Sequence, residues 1–260
     1  DVIIHLAGKA HDTKNQTERQ VYFDINTGLT KKIFDKFLDS EAQKFIFFSS
    51  VKAAANKVEG ESLTEDIIPS PVGPYGESKI AAENYILSKA SVYNNANKKV
   101  CILRPCMIHG PGNKGNLNLL YNTVSKGFPW PLGAFENLRS FTSVDNLNFV
   151  LEKLIQQDIE SGIYNLCDDE GVSTNELIGI ISSALHQPVR ILKWNKKWIE
   201  MIAAVGSKIH FPLNTERLHK LTENYVVSNA KIKKALNINK MPVNAKDGFK
   251  KTIDSFYNTK

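Results

Sequence analysis

Two tyrosine–lysine pairs with the same spacing stand close together in GPYGESKIAAENYILSK, residues 73–89. They are Tyr75 with Lys79 and Tyr85 with Lys89. In a helix, a lysine one turn after a tyrosine lies on the same face. Its ammonium group lowers the pKa of the phenol towards the range where the phenol can exchange a proton. Either pair could therefore perform acid–base chemistry, and the surrounding sequence has to distinguish them.

The residues around Tyr75 favour the first pair. Pro74 and Gly76 predict that a helix starts here, so Tyr75 can face a cleft, and the positive helix terminus favours its phenolate. Tyr85 falls in mid-helix among apolar residues, which predicts that its ring packs while Lys89 stays in solvent. The alternative that neither pair is catalytic stays open on this pattern alone.

Two serines close a predicted strand. The apolar run KFIFFSS, residues 44–50, ends in Ser49 and Ser50. Ligands of open α/β sheets bind beyond the carboxyl ends of the strands, so hydroxyl groups here are well placed to contact a substrate. The alternative is a hydroxyl group that only caps the end of the strand.

Apolar runs of strand length alternate with helical periodicity in the first half of the chain. The predicted strands are Val2–Ala7, Lys44–Ser50, Lys99–Pro105 and Gly162–Cys167, and the predicted helices are Gly28–Leu38 and Gly76–Ala90. Unbroken apolar strands separated by helices indicate parallel strands covered on both faces, and hence an α/β fold.

The regular alternation ends near residue 112. Beyond it we predict helices over Leu117–Lys126, Val144–Gln156 and Ser173–His186, an extended FPWPLG segment and a short strand over Val189–Leu192. The third of these helices opens with the capping-box pattern Ser173-x-x-Glu176. The sequence thus predicts a sheet domain with a smaller mixed region.

Composition limits the classes of partner. The 260 residues carry a formal net charge of +6, and lysines outnumber the five arginines. The lysines form no basic block, which predicts a solvated surface rather than a nucleic-acid interface, although positive charge suits an anionic substrate. No apolar run approaches the roughly 18 residues of a membrane span, so we expect no membrane partner. We interpret Cys101, Cys106 and Cys167 as reduced core thiols of a cytoplasmic protein.

Six short stretches, in their order and spacing, resemble the extended short-chain dehydrogenases/reductases, specifically the nucleotide-sugar epimerases, dehydratases and 4-ketoreductases. They are VIIHLAG, NTGLT, FIFFSS, PYGESK, LRPCMIHGPG and RSFTSVDNL. The resemblance implies a Rossmann-like parallel sheet, N-terminally incomplete, over 1–112 and about 140–170. It also implies a smaller mixed α/β region, 113–139 and 171–260, that binds the sugar nucleotide.

The resemblance implies hydride exchange at a sugar carbon with NAD or NADP as cofactor. It makes Tyr75 the acid–base group on the sugar hydroxyl and Ser50 a hydrogen-bond partner of the reacting oxygen. Lys79 would hold the nicotinamide ribose and lower the pKa of Tyr75. The residues that it assigns to the cofactor are Leu6, Ala7, Gly8, Asn26, Ser49, Lys79 and Pro105.

Arg139 and Asn116 are the substrate residues that the resemblance implies. Arg139 aligns with the arginine that clamps the nucleotide diphosphate, a role that suits a bidentate guanidinium group; the alternative is a surface salt bridge. Asn116 matches a segment that touches the nucleotide. Val51 and Lys52 stand where dehydratases carry an acidic pair after this serine, which disfavours 4,6-dehydration.

Within the family, SSVKA, HGPGNKGN and PLGAFENLRSF are most similar to enzymes of UDP-sugars, often N-acetylated, in bacterial surface-polysaccharide synthesis. We therefore expect a UDP-sugar 4-epimerase. The alternatives are a 4-ketoreductase of a UDP-4-keto-6-deoxy-(N-acetyl)hexose and a non-catalytic nucleotide-binding member. The family also implies a homodimer through the helices at Thr27–Leu38 and Tyr75–Ala90.

The family's first strand and its glycine-rich turn have no match in the sequence, and Val2–Ala7 resembles the fourth strand of the fold. We therefore expect a fragment that binds the dinucleotide weakly by itself. The motif G-x-G-x-x-G over 110–115 is no expected substitute, because no strand ending in an acidic residue follows about 20 residues later. His5, His11 and His109 are expected to be structural or to line a pocket rather than to bind metal.

Overall fold

The computed structural model describes residues 1–10, 18–113, 116–208 and 214–256. Its strands are β1 (Val2–His5), β2 (Lys44–Phe48), β3 (Lys99–Pro105), β4 (Met107–His109), β5 (Phe141–Ser143) and β6 (Gly162–Leu166). Its helices are α1 (Arg19–Tyr22), α2 (Thr30–Asp39), α3 (Val51–Ala54), α4 (Pro74–Ser88), α5 (Ala90–Asn95), α6 (Asn116–Ser125), α7 (Val144–Gln156), α8 (Thr174–Ala184), α9 (Lys196–Lys208), α10 (Thr215–Thr222), α11 (Ala230–Ala235) and α12 (Ala245–Ser255).

The chain divides into two compact units. Unit 1 consists of Asp1–Met107, Asn146–Cys167 and Val227–Pro242. Unit 2 consists of Ile108–Asp145, Asp168–Val226 and Val243–Lys260. The chain therefore passes between the units several times.

Unit 1 contains a parallel sheet with the strand order β1-β2-β3-β6. Ile4 lies opposite Ile46, Ile46 opposite Cys101, and Cys101 opposite Gly162. All residues of β2 are buried, as the unbroken apolar run of a doubly covered strand requires. The predicted α/β class with a parallel sheet is confirmed, and the carboxyl ends of the strands meet at one edge.

Aromatic rings join α2 to the sheet of unit 1. Phe34 and Phe37 pack on Phe45, with ring centroids 5.0 and 5.1 Å apart, and these rings are completely buried. The predicted helix over Gly28–Leu38 corresponds to α2, but α1 and a π-helical segment, Phe23–Leu29, precede it. Such π-helical segments are frequent at functional sites.

In unit 2, the predicted capping box is confirmed. The Ser173 hydroxyl group accepts from the Glu176 amide, and the Glu176 side chain accepts from the Ser173 amide. The helix that follows, α8, packs in the apolar core of the unit with α6 and α12, through residues such as Leu120, Ile181 and Phe249. The small second sheet consists of β4 and β5.

The strand predicted over Val189–Leu192 is wrong. Ile191 and Lys193 form only isolated bridges, with Trp130 and Leu132 respectively. The physical reason lies in FPWPLG, because each proline there lacks the amide donor that a continuous strand pair needs.

Candidate active site

Tyr75 is the second residue of α4, and its hydroxyl group hydrogen-bonds the side chain of Ser50. Ser50 follows β2 and is also the N-cap of α3, where its Oγ accepts from the Lys52 amide over 3.2 Å. Ser50 thus caps a helix rather than only the end of the strand, and it contacts the tyrosine that the sequence singles out. Its expected contact with a substrate stays a prediction.

Gly76 explains how α4 comes close enough for this contact. A Cβ atom at Gly76 would lie 2.5 Å from the carbonyl oxygen of Lys52 and 3.1 Å from Cβ of Pro71. Only a residue without a side chain permits this approach of the two backbones. The glycine in PYGESK thus positions Tyr75 beside Ser50.

Lys79 is buried one turn further along α4. Its Nζ donates to the carbonyl oxygen of Phe48 over 2.8 Å and lies 5.1 Å from the centre of the Phe47 ring. Burial lowers the pKa of Lys79 to about 8, against the opposing effect of the Glu83 carboxylate. The ammonium group is therefore still mostly protonated at neutral pH.

The expected pKa direction for Tyr75 is wrong. Burial raises the pKa of this phenol, the hydrogen bond from Ser50 opposes the rise, and Tyr22 adds to it. The Tyr22 ring packs edge-on, 6.4 Å from the Tyr75 ring. The Lys79 ammonium group donates to a backbone carbonyl instead. Tyr75 is thus protonated at neutral pH.

The loop after β1 provides exposed backbone next to Lys79. Leu6, Ala7 and Gly8 are all exposed. A Cβ atom at Gly8 would lie 3.0 Å from Lys79 Nζ and 3.0 Å from Asn26 Oδ1. Here the glycine leaves room for a close approach to the ammonium group.

Asn26 lies in the π-helical segment and is completely buried. Its Oδ1 accepts from the Lys9 amide over 2.7 Å, and its Nδ2 donates to Ser78 Oγ over 2.9 Å. The side chain therefore fixes the loop after β1 to α4. The Asn26 side chain is thus held by the protein itself and positions the backbone next to Gly8.

The Ser49 hydroxyl group donates to the Glu83 carboxylate, which the sequence analysis missed. Glu83 also forms a completely buried ion pair with Arg104, whose Nη2 lies 2.6 Å from Oε2. Two features of the sequence could have pointed to this pair. Glu83 follows Lys79 at helical spacing, and Arg104 is one of few arginines in the chain and lies in an apolar strand. Pro105, the next residue, is the buried last residue of β3.

The two predicted substrate residues belong to unit 2. Arg139 is half-buried, and its backbone bridges Val172 and Tyr225. Asn116 is the first residue of α6. The structure thus brings Ser50, Tyr75 and Lys79 together within unit 1, with Arg139 and Asn116 on elements of unit 2.

The second tyrosine–lysine pair, Tyr85 with Lys89, lies between α4 and α2, away from Ser50. The Tyr85 ring packs against the aromatic core of unit 1, and its hydroxyl group donates to Asp35 Oδ1 over 2.5 Å. Lys89 is half-buried rather than fully solvated, since its Nζ lies 5.6 Å from the centre of the Tyr85 ring. This pair stabilises the junction of α4 with α2.

Of the three histidines singled out from the sequence, His5 and His109 have protein partners. His5 Nε2 lies 2.8 Å from Thr30 Oγ1. His109 stacks on Phe249 at 3.9 Å and lies 3.0 Å from Thr252 Oγ1. His11 and the last two residues of the motif over 110–115 lie outside the described residues. Within the described ranges, no three His, Cys, Asp or Glu side chains come together as a metal site would need.

The cysteines are free thiols, and all three are buried. Burial raises the pKa of the Cys101 thiol to about 11, as expected of an unreactive core cysteine. Among the helices of the described chain, none combines the length and apolar character that crossing a bilayer requires.

The parallel sheet, with Ser50, Tyr75 and Lys79 at its carboxyl edge, is that of an extended short-chain dehydrogenase/reductase. The chain belongs to the NAD dependent epimerase/dehydratase family, whose model matches residues 1–167. This family assignment confirms the resemblance that the short motifs carry.

Individual relatives agree with the family. A UDP-glucose 4-epimerase from Vibrio cholerae is 29% identical over 266 residues, which cover 98% of this chain and 76% of that protein. The solved UDP-glucuronic acid 4-epimerase from Bacillus cereus, in complex with NAD, has a TM-score of 0.74 at 18% identity and covers 99% of this chain and 74% of its own. RMD from Pseudomonas aeruginosa, complexed with NADPH, has the same TM-score at 19% identity, and the match covers 100% of this chain and 82% of that chain. These structures share the fold, and they include both nicotinamide cofactors.

Proposed function

We propose that the protein oxidises and reduces C4 of a nucleotide sugar, and that it is a UDP-hexose 4-epimerase dependent on NAD or NADP. The observation that carries this proposal is the hydrogen bond between the Tyr75 hydroxyl group and Ser50, with Lys79 one turn along the same helix. The similarity to the Vibrio cholerae UDP-glucose 4-epimerase across 98% of the chain supports the choice of sugar nucleotide.

The residues at the carboxyl edge fit a nicotinamide nucleotide. The exposed backbone of Leu6, Ala7 and Gly8 lies beside the Lys79 ammonium group, where a Cβ atom at Gly8 would fill the gap. Lys79 would hold the ribose hydroxyl groups, and Pro105 would border the nicotinamide. When bound, the cofactor would take a hydride from the sugar carbon and give it back.

Tyr75 exchanges the proton of the C4 hydroxyl group. In the oxidation step its phenolate accepts that proton, and in the reduction step its hydroxyl group returns the proton to the C4 oxygen. The Ser50 side chain hydrogen-bonds the same oxygen and favours the phenolate of Tyr75 against the effect of burial. An epimerase also needs the keto sugar to turn over between the two steps.

A 4-ketoreductase of a UDP-4-keto-6-deoxy-(N-acetyl)hexose is the second candidate. Burial raises the pKa of Tyr75, so the resting residue is the proton donor that ketone reduction requires. The same residues serve both reactions, and the two differ in whether the reduced cofactor is supplied from outside.

For the substrate, we propose that the Arg139 guanidinium group binds the diphosphate bidentately and that Asn116 contacts the nucleotide. The absence of an acidic pair at Val51 and Lys52 argues against 4,6-dehydration. We also propose that the protein acts in surface-polysaccharide precursor synthesis and that it forms a homodimer through α2 and α4.

In the decisive experiment, the purified full-length protein is incubated with NAD and either UDP-glucose or UDP-galactose, and the two sugar nucleotides are separated by anion-exchange chromatography. We expect interconversion, and a fall of roughly 10²- to 10⁴-fold for Tyr75→Phe, because a positioned acid–base group contributes about that much. Tyr85→Phe is the matched control on the same helix and should retain near wild-type activity.

Equal losses in the two variants would overturn the assignment of Tyr75. If the wild type converts neither sugar but oxidises NADPH with a UDP-4-keto-6-deoxy sugar, the ketoreductase is the correct function. Turnover of neither class, with retained nucleotide binding, would identify a non-catalytic member.

A further inference from the structure

The helix α9 carries apolar side chains on two sides. Its buried side consists of Ile199, Ala203 and Gly206. Its other apolar side is exposed and consists of Trp198, Met201, Ile202 and Val205, with exposed fractions of 62, 51, 39 and 54%. These four follow the i, i+3, i+4, i+7 spacing that places residues on one helix face. We call them, together with Trp194, the outer face of α9.

The outer face of α9 lies in a segment with many apolar side chains that do not contribute to the core. Seven exposed large apolar side chains fall between residues 189 and 205: Val189, Leu192, Trp194, Trp198, Met201, Ile202 and Val205. A surface helix normally turns polar residues towards solvent. Exposed apolar residues on a protein surface usually occur singly rather than in groups. Four exposed apolar side chains on one face of α9, with Trp194 shortly before the helix, indicate an interaction surface.

The residue types indicate the partner. Trp194 and Trp198 are amphipathic aromatic side chains, which membrane-binding segments place at the level of the lipid headgroups. Lys193 and Lys197 are exposed next to them. A short helix with a tryptophan-containing apolar face bordered by lysines is typical of segments that lie in the plane of a bilayer surface.

The charge around the outer face also fits this partner. Lys197 precedes Met201 by one helical turn and so borders the face, whereas Glu200 is two residues from both Trp198 and Ile202 and points to the opposite side. Anionic headgroups are complementary to such lysines. Symmetric pairing with a second copy would instead bring the same lysine-bordered face against itself, which like charges disfavour.

We propose that the outer face of α9 docks the protein on a membrane surface that carries anionic lipids. The helix has 13 residues, too short to span a bilayer, so it lies in the interface with its apolar face towards the acyl chains. The docking surface belongs to unit 2. This inference goes beyond the proposed catalytic function, and neither depends on the other.

Vesicle flotation tests the proposal with the purified chain. The probes are vesicles of phosphatidylglycerol with phosphatidylethanolamine, and vesicles of phosphatidylcholine alone. We expect the protein to float with the anionic vesicles, less so at high salt, and not with the zwitterionic ones. Trp198→Ser/Met201→Ser should lower the bound fraction by about tenfold or more, because it removes much of the inserting apolar surface.

Two further variants make the test specific. Ile155→Ser removes an apolar side chain of α7 that is 45% exposed and should float as the wild type does. Lys193→Glu/Lys197→Glu keeps the apolar face but should abolish the preference for anionic vesicles. Circular dichroism checks that Trp198→Ser/Met201→Ser is folded. If that variant unfolds, Lys193→Glu/Lys197→Glu still tests whether the protein binds anionic vesicles through this surface.

Absence of wild-type flotation overturns the proposal, as does unchanged flotation of both double variants. Sedimentation velocity tests whether a second copy of the chain, rather than a membrane, covers the outer face of α9. A wild-type dimer that Trp198→Ser/Met201→Ser converts to monomers, without any vesicle binding, would mean that a second copy covers the outer face of α9.

Discussion

Arg104 on β3 and Glu83 on α4 form an ion pair in which Nη2 lies 2.6 Å from Oε2. Both side chains are almost completely excluded from solvent. The Glu83 carboxylate also accepts a hydrogen bond from Ser49, the neighbour of Ser50. One carboxylate thus ties α4, which carries the candidate acid–base tyrosine, to the carboxyl ends of two strands.

The first prediction concerns this pair. Glu83→Leu should lower the free energy of unfolding by roughly 3–5 kcal/mol, because it leaves the Arg104 guanidinium group buried and uncompensated. Urea unfolding measures the loss. Glu83→Leu/Arg104→Met should be more stable than Glu83→Leu alone, since an apolar pair removes the uncompensated charge. Losses that simply add across the two single variants would contradict a coupled pair.

The second prediction compares two capping serines. Ser50→Ala should cost about 0.5–2 kcal/mol of stability, as for other N-caps. It should also lower the proposed activity by about 10²-fold, because a hydrogen bond to the reacting oxygen is lost. Ser173→Ala removes the cap of α8 and should cost a similar stability with unchanged activity. Equal activities of the two variants would reduce Ser50 to a structural cap.

The third prediction compares two glycines inside helices. At Gly76 a new Cβ atom would meet backbone at 2.5 Å, whereas at Gly179 on α8 nothing lies within 4 Å. Gly76→Ala should therefore destabilise by about 1–3 kcal/mol through overpacking and separate Tyr75 from Ser50. Gly179→Ala should stabilise by about 0.5–1 kcal/mol through its higher helix propensity. Thermal unfolding of both variants checks the opposite signs, and a neutral Gly76→Ala would refute the close approach.

Local sequence patterns were enough to predict the elements that position the site. Pro74 and Gly76 marked the start of α4, and the apolar runs gave all four parallel strands. Short-range patterns succeed for these elements because each of them depends on neighbours in the chain. The choice of Tyr75 over Tyr85 uses the same kind of local context, a helix start and a strand end, and it stays a prediction.

Properties that depend on distant residues could not be predicted. The pKa of Tyr75 rises because several elements together bury it, and the partner of Arg104 lies 21 residues away. The outer face of α9 shows the same limit: its tryptophans and aliphatic residues indicate a core helix by pattern, and only the structure reveals that they are exposed. A search for long apolar runs detects membrane spans but not a docking surface of this kind.

The fourth prediction concerns acid stability and rests on His5. The Thr30 hydroxyl group donates to the Asn26 carbonyl oxygen over 2.6 Å, so it accepts the Nε2 proton of a neutral His5 ring at 2.8 Å. Burial, with a contribution from the Lys79 charge, lowers the pKa of His5 from 6.5 to about 4. Between these values the unfolded chain binds more protons than the folded protein, so stability is lost as the pH falls from about 6.5 to about 4.

The full difference corresponds to at most about 3 kcal/mol. Urea unfolding of the wild type and His5→Gln across this pH range measures it, because the glutamine amide can replace the Nε2 donor but does not titrate. The stability of the wild type should fall more steeply with acid than that of His5→Gln, so the difference between their free energies of unfolding should change by up to about 3 kcal/mol between pH 6.5 and pH 4. Parallel curves would show that His5 titrates alike in the folded and unfolded chain, against the effect of its burial between Thr30 and Phe47.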